Sequence, residues 1–223
     1  MAVTNCALCL RDLPIFEGIE IKSFEDICSG TTKKVFQKGE LIFSQGSPAD
    51  TIFLIKEGSA KLAQVTEDGR EVILSILGKG DIVGETALFQ RREHLASAIA
   101  LEESKVCSIS HKQMEKLIMD QPLLAMQLIT NLGKKFYSVM EQKSELYSQT
   151  VEQRVLKLLV RLAREHGQPV PEGCLIPLKL TQQDIANMLG VSRVMVVQVL
   201  KELRKANRLD KQGKYYVLRD RCF

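Results

Sequence analysis

Between Lys33 and Ile109 the apolar residues come in short β-prone runs, VF, LIFS, TIFLI, AKLAQV, EVILSIL and VCSI, each closed by a turn signal such as KG, QGSPAD, KEGS, EDG or GKGD. Many short strands at regular spacing predict an antiparallel barrel or jelly roll, which buries alternate side chains and avoids long open edges. After Pro122 the period changes. Ile129, Leu132, Phe136, Val139 and Leu146 follow a 3-4-3 rhythm that Lys143 and Thr150 complete. A heptad seam of this kind marks a helix that pairs with a second copy. From Leu123 to Tyr147 such a helix would be roughly 37 Å long, more than a cap on a small barrel requires. The alternative is that the same stripe packs on its own barrel.

A third segment opens at Thr150 with a helix from Val151 to His166, followed by a proline-bounded loop, HGQPVPEG, and a short strand pair in LIPLKL. Two helices come next. TQQDIANML starts at Thr181, a good N-cap, and stops at Gly190, while Ser192 caps RVMVVQVLKELRKAN. The closing RLDKQGKYYVLRD reads as a β-hairpin around Gln212 and Gly213. The chain is therefore expected to be α+β in three parts: a β-barrel domain over 1–121, a dimerisation helix over 122–149 and a winged helix-turn-helix over 150–223.

Charge sharpens this division. The net charge is only +4, yet residues 1–150 hold 17 Lys+Arg against 20 Asp+Glu, while residues 151–223 hold 14 against 7. A basic last third attached to a slightly acidic remainder suits a module that neutralises phosphates. An apolar fraction of 45% with no run approaching roughly 20 apolar residues predicts a cytoplasmic protein without a membrane span.

Two helices joined by a tight glycine-containing turn within about 20 residues form a helix-turn-helix, whose second helix enters the major groove of double-stranded DNA. Ala186 is small where the helices cross, and Ile185, Val196 and Leu200 supply the apolar contact between them. Exposed positions are left for bases. Arg193 can reach guanine O6 and N7, Gln198 an adenine edge and Val194 a thymine methyl. Ser192 and Lys201 flank them, Thr181, Gln182 and Gln183 are placed for phosphates, and Lys211 and Lys214 make the hairpin a basic wing. The competing reading, a helical hairpin inside a core, would need an apolar face where Arg193, Gln198, Lys201 and Arg204 stand.

With these residues in view, the chain resembles the cyclic-AMP receptor protein and fumarate-nitrate regulator (CRP/FNR) family over nearly its whole length. The match rests on LPIF, KGELIFSQGSPADTIFLIKEGSAKL, EDGREVILSILGKGDIVGETALF, EQRVLKLLVRLA and TQQDIANMLGVSRVMVVQVLKEL. The resemblance implies a sensor domain of the cyclic-nucleotide-binding type, a homodimer, a palindromic operator and contact with RNA polymerase as an activator or repressor. It also implies an effector pocket. Gly84, Glu85, Thr86, Ala87, Leu88 and Phe89 look like the opening of the family's phosphate-binding cassette, with Glu85 bonding a ribose hydroxyl.

The continuation departs from that pattern: His94-Leu95-Ala96-Ser97 stands where nucleotide binders place an Arg-Ser pair, leaving only the preceding Arg91 and Arg92 as cations. Val139 and Met140 stand where hydroxyls would meet adenine. Losing a charge-assisted bidentate pair to a phosphate disfavours cyclic AMP as the effector. The fumarate-nitrate branch suggests a second sensor, a [4Fe-4S] cluster. Cys6 and Cys9 form a C-x2-C pair and Cys107 sits where that branch has its distant ligand, but the third N-terminal position falls near Ile15, so Cys28 would have to replace it. The same pair could form an exchangeable disulfide. Cys174 and Cys222 are expected to be packed as small apolar residues.

Other classes fit less well. A regulatory ligand-binding module without transcriptional activity would leave the last third unexplained. An enzyme would need a partnered constellation, yet His94, His111 and His166 stand apart from any such motif.

Overall fold

The computed structural model describes Phe16, residues 31–88 and residues 93–219; the side chains of 86, 87, 142 and 144–148 lie outside that description. Two compact units emerge. One comprises Met1–Leu62 with Leu77–Glu141, the other Ala63–Ile76 with Gln142–Phe223.

The β-rich part holds eight strands: β1 (Thr32–Phe36), β2 (Leu41–Phe43), β3 (Thr51–Glu57), β4 (Ala60–Val65), β5 (Glu71–Leu77), β6 (Ile82–Val83), β7 (Ser97–Ala100) and β8 (Ser104–Ser110). They form two four-stranded sheets, β1-β8-β3-β6 and β2-β7-β4-β5. The expected barrel is thus a pair of separate sheets of the jelly-roll kind, not a closed cylinder. Strand alternation divides the apolar side chains between two cores. Ile55, Val106, Ala98, Phe43 and Leu77 meet in one cluster drawn from both sheets. Ile52, Leu54, Cys107 and Ile109 point the other way and meet Phe16, Met114, Leu117, Leu124 and Leu128.

The last four of those side chains come from two helices that cover the first sheet. Helix α1 (His111–Asp120) has no counterpart in the sequence reading; Ser110 and Gln113 form a reciprocal capping box at its start. Helix α2 (Pro122–Ser148) is the expected long helix, extended by one residue at each end, with proline in the first helical position. Leu124 and Leu128 face the sheet. Ile129, Phe136 and Val139 remain exposed, as do Met126 and Met140. The seam stripe and the packing stripe are thus different faces of one helix, and the reading in which the seam packs on its own sheet does not hold for Ile129, Phe136 or Val139. Leu132 is half-buried, and the Leu146 side chain is outside the described residues.

Helix α3 (Val151–His166) is separated from α2 by Gln149 and Thr150 and starts with a capping box, in which Thr150 Oγ1 accepts from the Gln153 N–H and Gln153 Oε1 from the Thr150 N–H. The strand pair lies earlier than expected. β9 (Gln168–Val170) runs through the supposed loop and pairs with β10 (Gly173–Ile176) in the sheet order β11-β12-β10-β9. Pro169 is tolerated there because β9 is an edge strand, where a missing N–H leaves no ladder bond unmade. Helices α4 (Gln182–Leu189) and α5 (Arg193–Lys205) precede the hairpin of β11 (Leu209–Gln212) and β12 (Tyr215–Leu218). Among the described residues no helix is long and apolar enough to cross a membrane.

Candidate functional site

Helices α4 and α5 owe their positions to caps. Thr181 Oγ1 accepts from the Asp184 N–H and donates to Asp184 Oδ2, and the same carboxylate accepts from the Thr181 N–H at 2.8 Å. Asp184 is buried by this box. Gly190 ends α4 with φ +63°, the left-handed conformation that glycine adopts without strain. Two residues later Ser192 Oγ accepts from the Met195 N–H and starts α5. Arg154 of α3 donates through Nη2 to the Leu189 carbonyl, satisfying an orphan acceptor at the end of α4. That anchoring arginine carried no sequence signal.

Ile185, Ala186, Val196 and Leu200 are buried between the helices, as the spacing required. At about 100° per residue, Val194, Gln198, Lys201 and Lys205 fall opposite the buried Val196, Leu200 and Leu203. All four are exposed, as is Arg193 in the first turn. The structure therefore leaves the proposed base-contacting set exposed along α5, with Val194 and Gln198 on the face opposite the buried stripe. Thr181 is exposed but its hydroxyl is engaged in the cap, and Gln183 Nε2 donates to Asn187 Oδ1 at 2.7 Å; Gln182 is half-buried. In the wing, Gly213 makes the turn, Lys214 is exposed, and the Lys211 ammonium lies 5.9 Å from the centre of the buried Tyr216 ring. Burial holds the Tyr216 phenol above its ordinary value of 10.

The cassette occupies the turn after β6. Gly84, with φ +85°, sits so close to Thr51 that a Cβ would lie 2.7 Å from the Thr51 carbonyl oxygen. A 3-10 turn, Glu85–Leu88, follows. Glu85 is not free: Lys135 of α2 donates to its Oε1 at 2.5 Å and to the Ile82 carbonyl at 2.9 Å. Lys135 lies seven positions beyond Leu128, on the packing stripe. A lysine on an inward stripe was the available hint of a buried acceptor.

His94 is 5% exposed and stacks on Phe43 with ring centres 3.9 Å apart, while Phe43 stacks in turn on Phe53. Burial holds its imidazole below the ordinary 6.5, against an opposing pull from the Asp50 carboxylate. Its main chain is bonded to Ser47 and Gly46. Ser97 Oγ accepts from the Gln45 N–H, and Leu88 packs with Ile118 against the apolar cluster beneath the helices. Val139 and Met140 are exposed on α2. Thr86 and Ala87 are described by backbone only, and Phe89, Arg91 and Arg92 lie outside the described residues.

Of the cluster candidates, Cys6, Cys9 and Cys28 lie outside the described residues. Cys107 is not in a disulfide; it is 2% exposed, on the apolar face of β8. It can offer a metal one sulfur; no group of three metal-binding side chains occurs among the described residues. Cys174, expected as a packed small apolar residue, is buried but disulfide-bonded.

Comparison with known proteins accounts for both halves. Residues 33–121 match the cyclic nucleotide-binding domain and residues 153–222 the Crp-like helix-turn-helix domain. The cAMP-activated global transcriptional regulator CRP of Salmonella typhimurium is 31% identical over 179 residues, covering 79% of this chain and 84% of that one. The global nitrogen regulator of Synechococcus elongatus is 30% identical over 173 residues, covering 77% and 78%. Among solved structures, the c-di-GMP responsive global regulator CLP of Xanthomonas campestris superimposes with a TM-score of 0.71 at 25% identity, covering 88% of this chain and 98% of that one. Matched domains, their order and identity over most of the length agree: the chain belongs to the CRP/FNR family of transcription regulators.

Proposed function

We propose that the protein is a cytoplasmic homodimeric regulator that docks two copies of α5 into successive major grooves of a palindromic operator and engages RNA polymerase there. The exposed surface of α5, with Gln198, Lys201 and Lys205 opposite its buried stripe and Arg193 exposed in its first turn, supports this most directly. Two recognition helices held by one α2 pair would span half-sites about 34 Å apart. The test is a binding selection on randomised DNA. Wild type should return a two-fold symmetric motif, and Arg193→Ala should lose stringency at one position of each half-site, since a bidentate base contact is worth roughly 1–3 kcal/mol. Lys211→Ala and Lys214→Ala should weaken all sequences alike and flatten the salt dependence. Equal motifs from wild type and Arg193→Ala would refute the docking.

The signal in this reading is not cyclic AMP. The carboxylate that would meet a ribose hydroxyl is held by Lys135, and a buried His94, whose burial disfavours the charged imidazolium, approaches Gly84 where the loop would need a cation. Relatives named for cyclic AMP, c-di-GMP and nitrogen show that membership alone does not select an effector. Calorimetry is the check. Micromolar cyclic AMP binding coupled to tighter operator binding would overturn it.

A second reading, redox or oxygen sensing through Cys6, Cys9, Cys28 and Cys107, has one observation in its favour. Phe16, seven residues after Cys9, is buried in the same cluster as Cys107, so the chain passes near that thiol. If these four held a [4Fe-4S] group, it would supply oxygen-sensitive chemistry. Protein purified without air should then show the visible absorption of an iron–sulfur chromophore; a colourless protein whose operator affinity ignores air would remove this reading.

A further inference from the structure

We infer that α5 reads two 5-methyl pyrimidines, ordinarily thymines, on adjacent base pairs of each half-site through an apolar ridge made by Val194 and Val197. This rests on α5 being the recognition helix. Val194 is 76% exposed and Val197 39% exposed, while Val196 between them is fully buried. The two exposed valines are three residues apart, hence neighbours on the helix surface about 4.5 Å apart along its axis, against a base-pair rise of roughly 3.4 Å. They lie in the first half of α5, the part that meets base edges in this docking mode.

The surroundings of the ridge decide its occupant. Arg193, Lys201, Arg204 and Lys205 are exposed on the same helix against one carboxylate, Glu202, which is bonded to Lys205. An apolar protein surface would have to approach through that basic fringe without neutralising it. The major groove instead offers two rails of phosphate with thymine methyls on its floor. Valine also discriminates by what it cannot do. Facing cytosine N4 or adenine N6, it would bury an amino donor without a partner, a penalty that a methyl group does not incur. The ridge therefore favours thymine twice, through contact and through exclusion.

The experiment uses the full-length protein and the operator recovered by selection, resynthesised with deoxyuridine in place of each half-site thymine in turn. Only the methyl group is lost. Affinity should fall roughly fourfold at each of two adjacent positions and by about two-hundredfold when both are replaced in both half-sites. Cytosine at either position should bind poorly and 5-methylcytosine should recover part of the loss. In Val194→Ser and Val197→Ser proteins the corresponding uridine effect should vanish, with an unchanged salt slope showing that the helix still docks. Uridine operators bound as tightly as thymine ones, while selection still returns a motif, would overturn this inference and leave the docking of α5 standing. Selection of no motif would overturn both.

Discussion

Replacing Phe136 by Glu should separate the dimer. The ring is 62% exposed in the single chain, on the stripe it shares with Ile129 and Val139. A phenylalanine side chain offers on the order of 200 Å², so about 120 Å² per protomer is available for burial against a partner. At roughly 25 cal/mol per Å² that contributes about 3 kcal/mol from each copy, and a two-fold axis counts it twice. About 6 kcal/mol corresponds to a change of roughly four orders of magnitude in dissociation constant; if only half the area is covered, two orders remain. Placing a carboxylate at the same position in both copies adds repulsion. Sedimentation equilibrium from nanomolar to micromolar protein measures the constant, and operator titration measures its consequence, since half-sites no longer tethered lose the benefit of effective concentration. A Phe136→Glu protein that remains dimeric at wild-type strength, or a wild type that is monomeric yet binds its operator fully, would refute the assignment of this face.

Other expectations follow from the polar contacts. Lys135→Met keeps the aliphatic stem but abandons Glu85 and the Ile82 carbonyl, and should lower unfolding stability by about 1–3 kcal/mol in denaturant titration while leaving the native fold intact. Because burial depresses the His94 pKa, its contribution is complete above the unfolded value of 6.5 and is lost as the pH falls through the folded one; stability measured below pH 6.5 should decline, and His94→Phe, which keeps the ring stack, should flatten that slope. Thr181→Ala removes the hydroxyl half of the α4 capping box and should cost about 1 kcal/mol, read from the thermal midpoint. A Cys6→Ser/Cys9→Ser protein should lose any dependence of operator affinity on air.

The large elements were legible because each carries its period openly. Strand runs closed by glycine turns, a seam of Ile129, Phe136 and Val139, and caps at Thr181 and Ser192 all declare themselves in local sequence. Features made by tertiary context were not. Helix α1 is a single ten-residue segment whose buried anchors, Met114 and Leu117, are too few to set a period. β9 runs through Pro169, a residue that argues against a strand until its edge position is known. Lys135 lies among helix residues whose facing sheet supplies the acceptors, and no spacing rule names Glu85 as its partner. Val197 reads as core in any apolar pattern; only its exposure beside buried Val196 reveals otherwise.

The two-residue step at Gln149 and Thr150 has a consequence for how such a chain can be rebuilt. Since Thr150 and Gln153 close the start of α3 with their own side chains, severing the polypeptide just before Thr150 leaves both main-chain donors of that capping box satisfied. A junction whose cap lies entirely on its downstream side can accept a foreign upstream neighbour. Grafting a different input domain onto Thr150 should therefore yield a foldable chimera, whereas a fusion at Val155 would discard the cap and, with Arg154, the bond that closes α4.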